Sequence, residues 1–187
     1  FIFIMKKRFQ NSGSMLHDLI LGGQDGLVNV LGIVLGIAAA TSELRFIIIA
    51  GLAATAAESI SMAAVAYTST KAESNFYESN IKKQNEIYYL YAKHSPVKSA
   101  IIVGISAIVG SLIPIIPFFF ISTFLINQSY AIILSVIISA LALFITGSIE
   151  GKLTSRKWFN EGLKLTLIGL IAAFAGFLIG KILGVSV

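Results

Sequence analysis

DLILGGQDGLVNVLGIVLG, residues 18–36, is apolar enough to cross a bilayer and yet carries Asp25 and Asn29 well inside. On a helix, Asp18, Gly22, Asp25, Asn29, Gly32 and Gly36 recur at alternating steps of four and three and share one face. Leu19, Ile20, Leu27, Val30, Leu31, Ile33 and Val34 take the others. A second stretch, ATAAESISMAAVAYTSTK (54–71), sets Glu58 and Met62 one turn apart, again on one face. A carboxylate at the centre of a spanning helix costs roughly 2.5–3.5 kcal/mol on insertion scales. Two of them in neighbouring spans call for a compensating role.

The rest of the chain agrees with a bilayer setting. Of its 187 residues, 56% are hydrophobic and 12% charged, and the mean hydropathy is +0.87. Soluble domains carry about 25% charged residues, so a soluble globular fold is set aside. There is no cysteine, which excludes disulfides and thiolate metal sites. The net charge of +5 is not a nucleic-acid signature, because the basic residues are scattered in short segments between apolar runs. The opening FIFIMKKRFQNSGS places too few apolar residues ahead of Lys6, Lys7 and Arg8 to form a signal-peptide core. Met5 and Met15 are candidate starts, and no membrane span is assigned to residues 1–14.

Five runs are long enough to span roughly 30 Å of hydrocarbon at about 1.5 Å per residue. They fall near 18–40, 46–70, 97–125, 129–149 and 162–184. The expectation is an all-α polytopic membrane protein, one transmembrane domain over 1–187, without internal repeats. Of the 14 basic residues, all but Arg45 and Lys181 fall before helix 1, between helices 2 and 3, or around the connection between helices 4 and 5. By the positive-inside rule the N-terminus is then cytoplasmic and the C-terminus is not. Helix 2 continues into the cytoplasm through KAESNFYESNIKKQNEIYYLYAKHS, giving a short cytoplasmic helical segment over 71–96. There Glu73, Glu78 and Glu86 alternate with lysines, as on a solvated charged helix; gathering of cations is the sharper alternative. His17 and His94 read as interfacial polar residues.

Small-residue faces on the later helices read as packing surfaces. They are Gly104, Ala107 and Ser111; Ser135, Ser139, Ala142 and Thr146; and Gly169, Ala172, Gly176 and Gly180. Pro114 and Pro117 remove two backbone donors from helix 3 and are expected to kink it.

Asp25 lies about six residues, roughly 9 Å, inside the cytoplasmic start of helix 1. Met62 lies about eight residues, roughly 12 Å, above the cytoplasmic end of helix 2, with Glu58 one turn deeper. Antiparallel helices on a short loop bring Asp25, Asn29, Glu58 and Met62 to similar levels, and Asp18 to the mouth of the same path. Intramembrane ionisable groups mark ion or substrate pathways. Oxygen ligands alone suit hard cations, whereas a thioether helps a softer one, so this set points to Fe²⁺ or Mn²⁺ as cargo, with no cofactor. A carboxyl group without water or a counter-charge favours its protonated form, and a dication displaces protons when it binds. Exchange of metal for protons follows. A passive channel for the same ions is the nearest alternative. An intramembrane aspartyl enzyme needs two aspartates sharing a proton, where helix 2 offers Glu58, so no enzyme is expected. A scaffold without substrate is the third alternative.

At these residues the chain resembles the vacuolar iron transporter and nodulin-like family of Fe²⁺/Mn²⁺ transporters. The matching text is HDLILGGQDGLVNVLGIVLG, AESISMAAVAYTSTKAE, P-x-K-S-A…G-S-L-I-P-I-I-P and LIGLIAAFAGFLIGKILG, together covering nearly all of 16–184. The resemblance implies five helices, a homodimer with the path at its two-fold interface, and proton-coupled export of metal from the cytosol. It carries the metal-ligand role onto Asp25 and Met62. The small-residue stripe of helix 1 would supply the dimer with a close-packing face. Plant-type relatives have a glutamate two turns before the methionine, where this chain has Ala54, with Glu58 as the nearest replacement. They also carry a larger glutamate-rich cytoplasmic domain, of which Glu73, Glu78 and Glu86 remain. The compact form, without a vacuolar sorting signal, leads us to expect a prokaryotic plasma membrane.

Overall fold

Backbone amides in an apolar run find no water to bond, so such runs close their hydrogen bonds internally as helices. The structure, a computed structural model, describes residues 2–80, 95–124, 127–154 and 156–184, with side chains from residue 13 onward except 121–124. It contains α1 (Ile2–Ala40), α2 (Leu44–Asn80), α3 (Pro96–Phe124), α4 (Gln128–Leu153) and α5 (Trp158–Leu183). All five are long and apolar enough to cross a membrane, and the chain is an integral membrane protein.

Every helix starts ahead of its expected span, most of all α1, which begins at Ile2, and α2 continues past residue 70 to Asn80, in line with its expected extension. Hydropathy marks where oil ends, whereas the helix continues until its backbone bonds are interrupted, and no Gly or Pro interrupts 71–80. The expected cytoplasmic segment over 71–96 is thus the continuation of α2 as far as Asn80; residues 81–94, with Glu86 and His94, lie outside the described residues.

Glycine contacts fix the topology. A Cβ on Gly22 would meet Val103 and Ser106, and one on Gly26 would meet Ala107 and Ser111, so α1 and α3 run in the same direction. Gly32 against Ala172 and Gly36 against Gly176 align α5 with α1 in the same way. Gly51 faces Ile115 while Gly104 faces Ala63, so α2 is antiparallel to α3. Gly147 and Gly151 against Glu161 and Trp158 set α4 antiparallel to α5. One end of the bundle therefore collects Lys71, Lys98, Lys152, Arg156, Lys157 and Lys164, and is called the basic end below.

α1 is the central helix. Its Val30, Val34 and Ala38 pack with Ile47 of α2, Ile115 and Phe118 of α3, and Ala131 of α4. Leu27 meets Leu143 and Leu165, and Leu31 and Leu35 meet Ala173. α3 remains helical through Pro114 and Pro117, both fully buried. Ser135 of α4 donates its hydroxyl to the Pro114 carbonyl at 2.7 Å, tying α4 to α3.

At the opposite end, the turn at 41–43 is tied to α4. Gln128 Nε2 donates to the Ala38 and Thr41 carbonyls, both at 2.9 Å, covering orphan acceptors at the C-terminus of α1. Gln128→Ala is expected to lower stability by about 0.5–1.5 kcal/mol, the usual net worth of a hydrogen bond that is not fully buried, read from unfolding in detergent followed by Trp158 fluorescence. An unchanged midpoint would show that water replaces the amide.

Candidate metal-translocation site

The polar and small stripe of α1 meets three different surroundings. Toward the basic end, Gly22 lies against Val103 and Ser106 of α3. Toward the other end, Gly32 and Gly36 lie against Ala172 and Gly176 of α5. Between them Asp25 is half-buried and Asn29 is exposed. This departs from the single close-packing face expected for a dimer. The glycines at both ends are spent inside the chain, because α3 and α5 cross α1 at different heights and leave a window between them.

α2 supplies the other side of that window. Gly26 abuts Ala107 and Ser111 on α3, while Gly104 on the same helix abuts Ala63 and lies near Ser59. Asp25 and Glu58 therefore stand at one level. The Glu58 carboxyl is within side-chain hydrogen-bonding reach of both the Asp25 carboxyl and Asn29. Met62 is half-buried one turn nearer the basic end on the same face of α2. Thus Asp25, Asn29 and Glu58 come together, with Met62 beside them. Within one chain, no group of three or more His, Asp or Glu side chains converges among the described residues.

The remaining candidates are placed otherwise. Asp18 is only 4% exposed, covered by α3 instead of standing at an open mouth. Its backbone carbonyl accepts from Ser106 at 3.4 Å, its Oδ1 lies 3.4 Å from His17 Nδ1, and its Oδ2 is buried without a partner. Glu73 and Glu78 are both exposed on α2, and five residues of helix point them roughly 140° apart, so they do not form a shared site. Ala54 packs against the apolar core around Val30 and Ile47.

A groove of about 520 Å³ opens between α1 and α5 on the side away from the basic end. Asn29 stands at one end of it, Gly184 at the other, and Gly32, Gly36, Gly176 and Gly180 form its floor. The small residues of α5 read in the sequence as packing alone. In the fold they both pack and, lacking side chains, leave the groove open. Their spacing was the available signal, but it is the same for either use.

The sequence is similar to that of several known proteins. A rice (Oryza sativa) protein named vacuolar iron transporter 1 is 25% identical, over 94% of this chain and 88% of its own length. Protein CCC1 of Saccharomyces cerevisiae is 24% identical over 91% of this chain and 69% of its own. An uncharacterized protein of the archaeon Methanocaldococcus jannaschii is 29% identical, over 91% of each. The model of the VIT family matches residues 16–90 and 88–181. With the match running through all five helices, the chain belongs to the VIT family.

Proposed function

We propose that this protein is a transporter that exports Fe²⁺, Mn²⁺ or both from the cytosol in exchange for protons, acting as a homodimer. The observation that carries the proposal is the meeting of Asp25, Asn29 and Glu58 at one level of the membrane, in a window that the chain's own helices leave open. Carboxyl groups gathered at one point of an apolar setting can be neutralised by protons or by a dication, and a dication that binds displaces protons, so loading with metal and loading with protons exclude each other. Met62 contributes a thioether that favours a transition metal over Mg²⁺ or Ca²⁺. Two carboxylates, an amide and a thioether make a weak site, suited to a cargo that must leave again.

The homodimer reading rests on the same window. Asn29 and Ile33 are exposed on the central helix of the bundle, flanked by the groove that leads to the far end. A two-fold axis along this face would set two copies of Asp25 and Glu58 around one path and complete a ligand set that one chain lacks. The basic end is the cytoplasmic one in this reading. Relatives named as vacuolar iron transporters support the choice of iron.

The test is flux into proteoliposomes with an imposed pH gradient and a trapped pH dye. Expected is uptake of Fe²⁺ or Mn²⁺ that scales with the gradient and moves protons the other way. Flux that ignores the gradient and moves no protons would establish a passive channel instead. For the dimer, the absence of native cysteine permits single-site crosslinking. Ile33→Cys is expected to give a dimer-sized disulfide product in membranes, and Ile171→Cys, on an outward face of α5, is not. Crosslinking of neither, or of both equally, would remove the proposed axis.

A further inference from the structure

A second groove lies at the basic end, away from the metal window. It encloses about 360 Å³ between α4 and α5 and is lined by Phe144, Ile145, Ser148, Ile149, Lys152 and Trp158. Two of its lining residues, Phe144 and Trp158, belong to a set of aromatic rings meeting edge to face: Phe144 with Trp158 at 6.4 Å and with Phe159 at 5.7 Å, and Trp158 with Phe159 at 5.7 Å. Trp158 and Phe159 are more than half exposed. The position of Trp158 at the first residue of a spanning helix is where indole rings anchor at the headgroup level.

The charges around this groove are unevenly committed. Glu161 is shared by Arg156 at 3.6 Å and Lys164 at 3.5 Å. Lys152, in the last turn of α4, and Lys157, just before α5, have no such carboxylate among the described ion pairs. One turn inward from Lys152, the Ser148 hydroxyl lines the same groove and is buried without a hydrogen-bond partner. An apolar slot along the hydrocarbon, an uncommitted ammonium at its mouth and an indole at the boundary match one ligand in chemistry: a phosphate monoanion attached to acyl chains.

We propose that this groove binds an anionic phospholipid, with an acyl chain along Phe144, Ile145 and Ile149 and the phosphate at Lys152. Basic pockets between spanning helices hold anionic headgroups in this way. The site is independent of the metal pathway, so its test stands or falls without the transport reading.

Trp158 is the only tryptophan in the chain, which makes it a specific probe. The protein would be reconstituted with a small fraction of phosphatidylglycerol brominated on its acyl chain, or of phosphatidylcholine brominated identically, and Trp158 quenching compared. Expected is a roughly fivefold preference for the anionic lipid, the size of one lysine–headgroup attraction near the membrane surface. The preference should be lost in Lys152→Gln, kept in Lys181→Gln at the other end, and weakened by raised salt in the unmodified protein. Equal quenching by the two lipids would overturn the proposal. So would quenching by neither, the result if a second chain covers the groove, and so would an undiminished preference in Lys152→Gln. Should that variant not fold, the salt series on the unmodified protein decides.

Discussion

Asp25→Asn and Glu58→Gln are each expected to reduce metal–proton exchange by at least roughly 100-fold. Partners that merely orient metal ligands are worth about 10–100-fold, and these substitutions remove the anion itself while keeping its shape. Each also removes the group that carries the exchanged proton, so uptake of metal and the counter-movement of protons should fall together. Stability should respond differently. Carboxylates in a spanning segment are costly, so both variants are expected to unfold at the same temperature as the parent or higher. The combination of lost flux and intact or improved stability separates a transport site from a structural one. Flux at the parental rate in either variant, measured in proteoliposomes with the pH gradient held constant, would leave the proposal without its site. Asp25 and Glu58 stand at one level and belong to one proposed site, so the double variant is expected to be little worse than either single one.

The second large effect is on assembly. A Cβ on Gly180 would overlap the Gly36 carbonyl, and one on Gly110 would overlap the Gly23 carbonyl. Both obstacles are backbone atoms, which cannot rotate away. Gly180→Ala and Gly110→Ala must therefore push α5 or α3 off α1, at a cost of about 1–3 kcal/mol or more. The same substitution at Gly13, where nothing lies within 4 Å, is expected to stabilise by roughly 0.5–1 kcal/mol because alanine is the better helix former. Unfolding midpoints of the three variants should fall on opposite sides of the parent. A common direction for all three would mean that the close helix contacts carry no weight. Because α3 and α5 hold α1 from two sides, Gly180→Ala and Gly110→Ala should also shift Asp25 and lower flux beyond what their residual folding explains.

Hydropathy was sufficient for much of the architecture. Five apolar runs became five helices. Polar residues in an apolar run stand out because insertion penalises them, so Asp25, Asn29 and Glu58 draw notice one by one, with Met62 one turn from Glu58. Their common level was legible too, since a helix rises by a fixed amount per residue. The start of α1 was less legible: the helix begins at Ile2, well before the apolar run at 18, and hydropathy does not mark where a helix starts if nothing breaks its backbone bonds.

What only the tertiary structure decided is which neighbour each face receives. Asp18, Gly22, Asp25, Asn29, Gly32 and Gly36 form one stripe in the sequence. In the fold Gly22 is covered by α3, Gly32 and Gly36 by α5, and Asp18 is sealed at 4% exposure while Asn29 stays open. A periodicity reports direction around one helix axis and carries no information about the crossing positions of the others. Those are set by how closely the backbones approach at Gly26, Gly36, Gly110 and Gly180, a sum of contacts among α1, α3 and α5 that exists only once all three are packed together.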